Sequence, residues 1–218
     1  MSAASLEYWI YPVTPFAQNT TLLRCAETGR GALVDPGDEV DRLMAAVEEH
    51  DVELESILLT HGHIDHAGGT AGIVKRTGLP VVGPHREDLF WLEGMEQQAQ
   101  MFGLPVVDSP KPDRWLVHGD EVTVGAQTLQ VLFTPGHTPG HVVFFHEPSR
   151  MVMVGDVLFD GSIGRTDFPK GDHATLMCSI FETLLPLGDD VTFLPGHGPT
   201  STLGAQRKSN PYLLPGPA

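Results

Sequence analysis

The chain has 218 residues, 41% of them apolar, with 28 acidic against 13 basic side chains and a formal net charge of −15. That length is enough for a substantial core. The acidic balance excludes the basic footprint of a nucleic-acid binder and argues equally against an anionic membrane surface.

No apolar run approaches the roughly 18–20 residues of a bilayer span, and Met1 to Val13 lack a basic segment followed by an apolar core. No secretory leader is therefore expected, and cytoplasm is the default. Leu6–Val13 and Thr20–Cys25 read as strands rich in β-branched and aromatic residues. Gly29-Arg30-Gly31 turns the chain into a strand Ala32–Asp35, which Pro36-Gly37 ends. Glu39–His50 has apolar residues at helical spacing, and Leu54–Leu59 is a short apolar strand of the kind covered on both faces. A helix is expected over Gly68–Thr77, then a strand Pro80–Val82. Arg86–Phe102 is a more polar helical excursion carrying Phe90, Trp91, Leu92, Met95, Met101 and Phe102. It reads first as a helix pair lying on the core and second as an aromatic wall beside a site. Arg114–Leu116, Glu121–Val124, Gln127–Phe133, His141–Phe145 and Met151–Val154 are the expected strands of a second sheet. Asp172 is placed to cap a helix His173–Leu185, Val191–Leu194 is a last strand, and a short tail rich in proline and glycine follows His197. Cys25 and Cys178 form no CxxC pair and read as two small packed residues in a reducing compartment. Two β-then-α halves without a linker predict one four-layered α/β domain over residues 1–218.

Directly after the apolar run Ile57-Leu58-Leu59 stands Thr60-His61-Gly62-His63-Ile64-Asp65-His66, three imidazoles and a carboxylate within six positions. These are ligands that borderline divalent cations prefer. Three later strands end in the same manner, in Thr134-Pro135-Gly136-His137, in Gly155-Asp156 and in Pro195-Gly196-His197. Strand ends in layered α/β proteins are where ligand sites gather. The seven candidate ligands are His61, His63, Asp65, His66, His137, Asp156 and His197. One tetrahedral ion needs about four ligands at most, so the set fits two ions about 3.5–4 Å apart. His61, His63 and His137 are assigned to the first cation, Asp65, His66 and His197 to the second, and Asp156 bridges. Water between two such cations is acidified to a hydroxide nucleophile near neutral pH. The mixed N/O set predicts zinc, with iron or manganese also accepted. Asp35 reads equally as a hydrogen-bond acceptor for a ligand imidazole or as a plain turn aspartate. His141 reads as a core or supporting residue, and His50, His85, His118, His146 and His173 as ordinary histidines.

The HxHxDH motif with a later His, Asp and His resembles the metallo-β-lactamase superfamily over His61 to His197. The resemblance implies an αβ/βα sandwich of two mixed sheets with outer helices and a dinuclear site at one edge. The chain is most similar to the short bacterial form of the hydroxyacylglutathione hydrolases (glyoxalase II). Val34-Asp35-Pro36-Gly37, Pro135-Gly136-His137-Thr138-Pro139-Gly140-His141, Gly164-Arg165-Thr166-Asp167-Phe168 and Pro195-Gly196-His197-Gly198-Pro199 carry that similarity. It implies hydrolysis of S-D-lactoylglutathione to D-lactate and glutathione, a detoxification step for methylglyoxal. About twenty residues follow His197, too few for the C-terminal helical domain with which the long form grips glutathione. The family places a basic glutathione contact at Arg165, which reads equally as the structural partner of Asp167; Arg207 and Lys208 are weaker substitutes for the missing domain. Asp65 is expected to orient the nucleophile's proton. A thiol with pKa near 8.5 departs without a dedicated acid, which favours a thioester or ester over an amide. The alternatives are hydrolysis of another thioester, ester or lactone, and a mononuclear-iron persulfide dioxygenase using His61, His137 and Asp156. The expected partner is a small molecule, and the protein a monomer or small homo-oligomer.

Overall fold

The aromatic and β-branched run of β1 (Leu6–Val13) folds back antiparallel on β2 (Gln18–Cys25), pairing Leu6 with Cys25 and Val13 with Gln18. This is the computed structural model of the chain, and it describes residues 6–214. β3 (Arg30–Val34) continues antiparallel to β2. A parallel pair needs a crossover, and α1 (Val40–Glu49) supplies it before β4 (Glu53–Leu58) adds beside β3. A single helical turn α2 (Ile64–Ala67), then α3 (Thr70–Thr77), leads to β5 (Val81–Val82), the last strand of a mixed sheet ordered 1-2-3-4-5. α4 (Leu89–Glu93) and α5 (Met95–Phe102) follow.

The second sheet begins with the meander β6 (Glu121–Val124), β7 (Gln127–Phe133), β8 (Val142–His146) and β9 (Met151–Gly155). A small hairpin, β10 (Leu158–Phe159) with β11 (Ser162–Ile163), and the helix α6 (His173–Cys178) come next. β12 (Thr192–Pro195) then adds parallel to β9, and β13 (Ser201–Thr202) precedes α7 (Leu203–Ser209), so that the order is 13-12-9-8-7-6.

The period-two alternation of strands sorts side chains into two layers. Val142, Phe144, Met151, Met153 and Leu194 point inward to meet Leu23, Ala32, Val34 and Leu58 of the first sheet. Their neighbours Val143, Phe145, Val152, Val154 and Phe193 point outward and are covered by Leu176, Ile180 and Leu203. On the far side of the first sheet, Leu22, Leu33, Ile57 and Leu59 are covered by Leu43, Ile73, Leu92, Met95 and Ala99 from the helices. Helix, sheet, sheet and helix layers result, which is the expected α/β sandwich of two mixed sheets.

Several local expectations are corrected. Arg114–Leu116 is no strand of the second sheet: Arg114 makes one bridge to Val82 of the first. The helix expected over Gly68–Thr77 starts at Thr70, and a separate turn at Ile64–Ala67 already contains Asp65 and His66. Asp172 does cap its helix, accepting from the Thr175 N–H at 2.7 Å. That helix changes pitch at Ser179 into a π-helical stretch, and Pro186, without an N–H, sits in the tight turn that ends it. The tail after His197 holds β13 and α7, whose first turn is capped by Thr202 accepting from Ala205; Pro215, Gly216 and Pro217 lie outside the described residues, as do residues 1–5 of the segment read for a leader. Cys25 is buried as expected, whereas Cys178 is exposed. No helix among the described residues is long and apolar enough to cross a membrane.

Phe144 is fully buried where the two sheets meet. Phe144→Ala is expected to lower the unfolding free energy by about 3–5 kcal/mol, read from denaturant melts as a lower midpoint with an unchanged slope.

Candidate metal centre

The turns after β4, β7, β9 and β12 open at one edge, where backbone hydrogen bonds join the two sheets. Val142 N–H donates to the Thr60 carbonyl at 2.9 Å, and Asn19 N–H to the Gly196 carbonyl at 2.7 Å. The Asn19 side-chain amide also donates to the carbonyls of Pro195 and Gly198. After β4 the chain runs extended through His63, then winds into α2. The Ile64 N–H that opens this turn donates to Gln98 Oε1 at 2.9 Å, so a side chain from α5 supplies the cap.

All seven residues singled out in the sequence arrive at this edge. His63 Nδ1 lies 3.1 Å from His61 Nε2 and 3.0 Å from His137 Nε2. Asp65 Oδ2 lies 3.2 Å from His197 Nε2 and 3.9 Å from His66 Nε2. Between the two trios sits Asp156, with Oδ1 at 3.3 Å from His66 Nε2 and Oδ2 at 3.5 Å and 3.6 Å from the Nε2 atoms of His137 and His197. Gly196 packs so closely against it that an added Cβ would overlap Asp156 Oδ1.

The hydrogen bonds behind the ring show which nitrogens are free. Asp35 Oδ2 accepts from His66 Nδ1–H at 2.9 Å and from the Thr60 hydroxyl at 2.6 Å. With its hydrogen committed to Asp35, Thr60 Oγ1 accepts from His61 Nδ1–H at 3.0 Å. The Arg165 carbonyl accepts from His137 Nδ1–H at 2.7 Å, and the Phe16 carbonyl from His197 Nδ1–H at 3.2 Å. Each bond occupies the Nδ1 edge of its ring, so that Nε2 is the atom turned to the cluster. Asp35, His61 and His66 also stand close enough for a cation, but Asp35 holds the Nδ1 edge of His66, so it is the acceptor rather than a bare turn aspartate. His141 is buried and supports the site from behind: its Nε2 accepts from Asp156 N–H at 3.1 Å, and its ring stacks on His61.

The protein groups fit cations. His66 Nε2 and Asp156 Oδ1 are buried without a hydrogen-bond partner, and buried polar atoms are rarely left so. Lone pairs of three imidazoles converge about His63 Nδ1, an arrangement that only a cation or a proton makes favourable. Burial drives His61 and His63 well below the usual histidine range, neighbouring imidazoles adding to it, so they are neutral donors. Burial also pulls on His66, but Asp156, Asp65 and Asp35 outweigh it and hold that ring well above its ordinary value. Asp156 shows the converse: burial favours the neutral acid, and His66, His137 and His197 overcome it to keep the carboxyl well below the carboxylate range. Thiolate donors are absent from the candidate groups of the described residues.

A cavity of about 380 Å³ opens onto the cluster. Trp91 and Phe168 meet His63 edge to face, Phe102 meets Phe168 and Phe16, and Phe159 and Ile163 lie on the His197 side. The helical excursion thus plays both parts weighed from the sequence: Leu92, Met95 and Ala99 join the core, while Trp91, Met101 and Phe102 line the cavity. Arg165 lines it too, its guanidinium 2.7 Å from both carboxylate oxygens of Asp167 and stacked 3.9 Å above the Phe168 ring. Arg207 instead binds Asp189 and the Leu185 carbonyl, and neither it nor Lys208 lines the cavity. His50 stacks on Trp9, His146 bonds Ser149 and Gln127, and His85, His118 and His173 take no part in the cluster. The sequence reading gave no role to Thr60, although that residue opens the histidine stretch, and passed over Gln98, which caps α2 from a segment with no motif of its own.

The family model described as Metallo-beta-lactamase superfamily matches residues 13–197. A relative named hydroxyacylglutathione hydrolase GloC, from Haemophilus influenzae, is 44% identical over 205 residues, covering 94% of this chain and 96% of its own. Among solved structures, the B3 metallo-beta-lactamase BLEG-1 superposes with a TM-score of 0.88 at 32% identity over 95% of this chain and 99% of its own. A protein named TTHA1623, in a di-iron-bound form, superposes with 0.86 at 38% identity over 94% and 100%.

Asp35→Ala is expected to weaken the cation held by His66 by about 10–100-fold, and Asp156→Ala to strip metal from both trios. Metal content after dialysis against graded chelator checks both.

Proposed function

Since the chain belongs to the metallo-beta-lactamase superfamily, we propose that it hydrolyses glutathione thioesters, S-D-lactoylglutathione to D-lactate and glutathione, at a two-cation site. The observation that carries this reading is the presence of both donor trios with Asp156 between them, in a chain similar over nearly all its length to a hydroxyacylglutathione hydrolase. His61, His63 and His137 would hold one divalent cation and Asp65, His66 and His197 the other, with Asp156, between the two trios, available to both. Zinc is the expected metal, and iron or manganese suits the same nitrogen and oxygen donors. When bound, such a pair supplies Lewis acidity towards a carbonyl oxygen and acidifies water towards neutral pH.

The chain's own groups do the rest. Asp65 lines the cavity, and although burial opposes its charge, His66 and His197 keep the carboxyl below its ordinary range. An ionised Asp65 accepts a hydrogen bond from attacking water and aims its lone pair at the carbonyl carbon. Trp91, Phe102 and Phe168 exclude bulk water from one side of the cavity. Arg165 has donors left over beyond its Asp167 pair and offers them to a substrate carboxylate. Beyond the cluster, the polar side chains lining the cavity are Gln98, Ser162 and Arg165, none of them an acid suited to protonate an amine. A thiolate leaving group needs no such acid, which supports a thioester over an amide.

A mononuclear iron dioxygenase on His61, His137 and Asp156 would leave Asp65, His66 and His197 without a task, although His66 and His197 are turned to Asp156 and Asp65 is turned to His197. The proposal makes the protein a cytoplasmic enzyme, monomer or small homo-oligomer, with a small-molecule partner and neither nucleic acid nor membrane; the net charge of −15 supports that last point.

Purified protein with two metals per chain is expected to turn over S-D-lactoylglutathione, and Asp156→Ala to abolish the reaction. Two-metal protein inactive on this substrate refutes the proposal, as does one iron per chain with oxygen consumption on glutathione persulfide. Arg165→Ala is expected to raise KM about tenfold with little change in kcat, the signature of lost substrate binding; unchanged kinetics would remove Arg165 from the substrate site.

A further inference from the structure

Asp88 is a fully buried carboxylate outside the cluster, lying just before α4. Its two oxygens take three hydrogen bonds. Gly62 N–H donates to Oδ2 at 2.8 Å, the Thr138 hydroxyl donates to Oδ2 at 2.8 Å, and Gly140 N–H donates to Oδ1. Gly62 stands between His61 and His63, and Thr138 directly follows His137. One side chain therefore grips both loops that bring the first trio together. The backbone repeats the clamp, with His85 N–H donating to the Gly140 carbonyl and Asp88 N–H to that of His85. The approach is close enough to dictate glycine on both loops: a Cβ on Gly62 would press on Trp91 and the Asp88 carbonyl, and one on Gly140 would overlap the Asp88 amide and carboxylate.

We propose that Asp88 is a positioning residue for the first cation, its carboxylate setting the distance between the loop of His61 and His63 and the loop of His137. A carboxylate can accept all three donors, whereas an amide of the same shape turns an NH2 group against at least one of them. The second trio is untouched: His66 is oriented by Asp35 and His197 by the Phe16 carbonyl. Burial pushes the Asp88 carboxyl up to about 7 against the pull of Thr138, Gly62 and Gly140, and the metal-free fold is expected to tolerate a neutral side chain of the same shape.

The inference rests on the two-cation reading but not on any substrate. Its test is a zinc titration of chelator-stripped Asp88→Asn protein against a chromophoric chelator, beside the melting temperature of the stripped protein. His197→Ala, which keeps the first trio, identifies the dissociation constant belonging to that trio. In Asp88→Asn this constant is expected to rise about tenfold, with the second constant and the metal-free melting temperature unchanged. Two unchanged constants overturn the proposal. So do two constants raised together with a lower metal-free melting temperature, the mark of general packing. Should Asp88→Asn not fold, Thr138→Val removes one donor and decides by the same reading, a selective rise supporting the proposal and none overturning it. Wild-type protein that takes up one zinc defeats the two-cation reading itself.

Discussion

The carboxylate of Asp35 is buried at the end of β3 and takes three hydrogen bonds: from the Thr60 amide, from the Thr60 hydroxyl and from His66. Through Thr60 it also reaches His61. One side chain of the first sheet thus fixes a ring in each trio and leaves both Nε2 atoms turned inward. Because a buried carboxylate is costly unless its hydrogen bonds are complete, the arrangement has little freedom to slip. The orientation of these imidazoles comes from hydrogen bonds to the fold behind them.

The second requirement is that two sheets meet in register. Four of the seven clustered residues come from the turn after β4, and the other three from three turns of the other sheet. Their alignment depends on the shared inner layer around Leu58, Phe144 and Met153, and on the short bonds at the edge from Val142 to Thr60 and from Asn19 to Gly196. Packing and site geometry are therefore not separable here. A cavity in the inner layer would be felt at the metal centre through the strands that end there.

The cavity sets a further constraint. Outside the cluster its walls are mostly apolar, and the guanidinium lining it, Arg165, is already shared with Asp167 and stacked on Phe168. The proposed function divides substrate grip between an apolar wall and one half-neutralised guanidinium, in a chain whose tail cation Arg207 lies elsewhere. That division suits a ligand whose anchoring comes chiefly from its reacting carbonyl at the cluster.

Periodicity marked the longer strands and helices, because burial on alternating or helical faces leaves its trace in local sequence, whereas the β10–β11 hairpin, β13 and the single turn α2 left none. The exceptions were short or context-made: Arg114 pairs only through Val82, and α7 forms in a segment that reads as tail. The seven donors were legible because glycine-bearing turns after apolar strands present one imidazole or carboxylate each, a pattern written within single segments. What holds them was not. Asp88 reaches Gly62 across 26 positions and Gly140 across 52, and Gln98 reaches Ile64 across 34; an ordinary residue type at such separations leaves no local signal. The sequence by itself determined the layers, the side chains that cluster at the edge and the turns that carry them. Only the tertiary structure decided which carboxylates support and which face the cation, because that depends on which edge of an imidazole a distant side chain occupies.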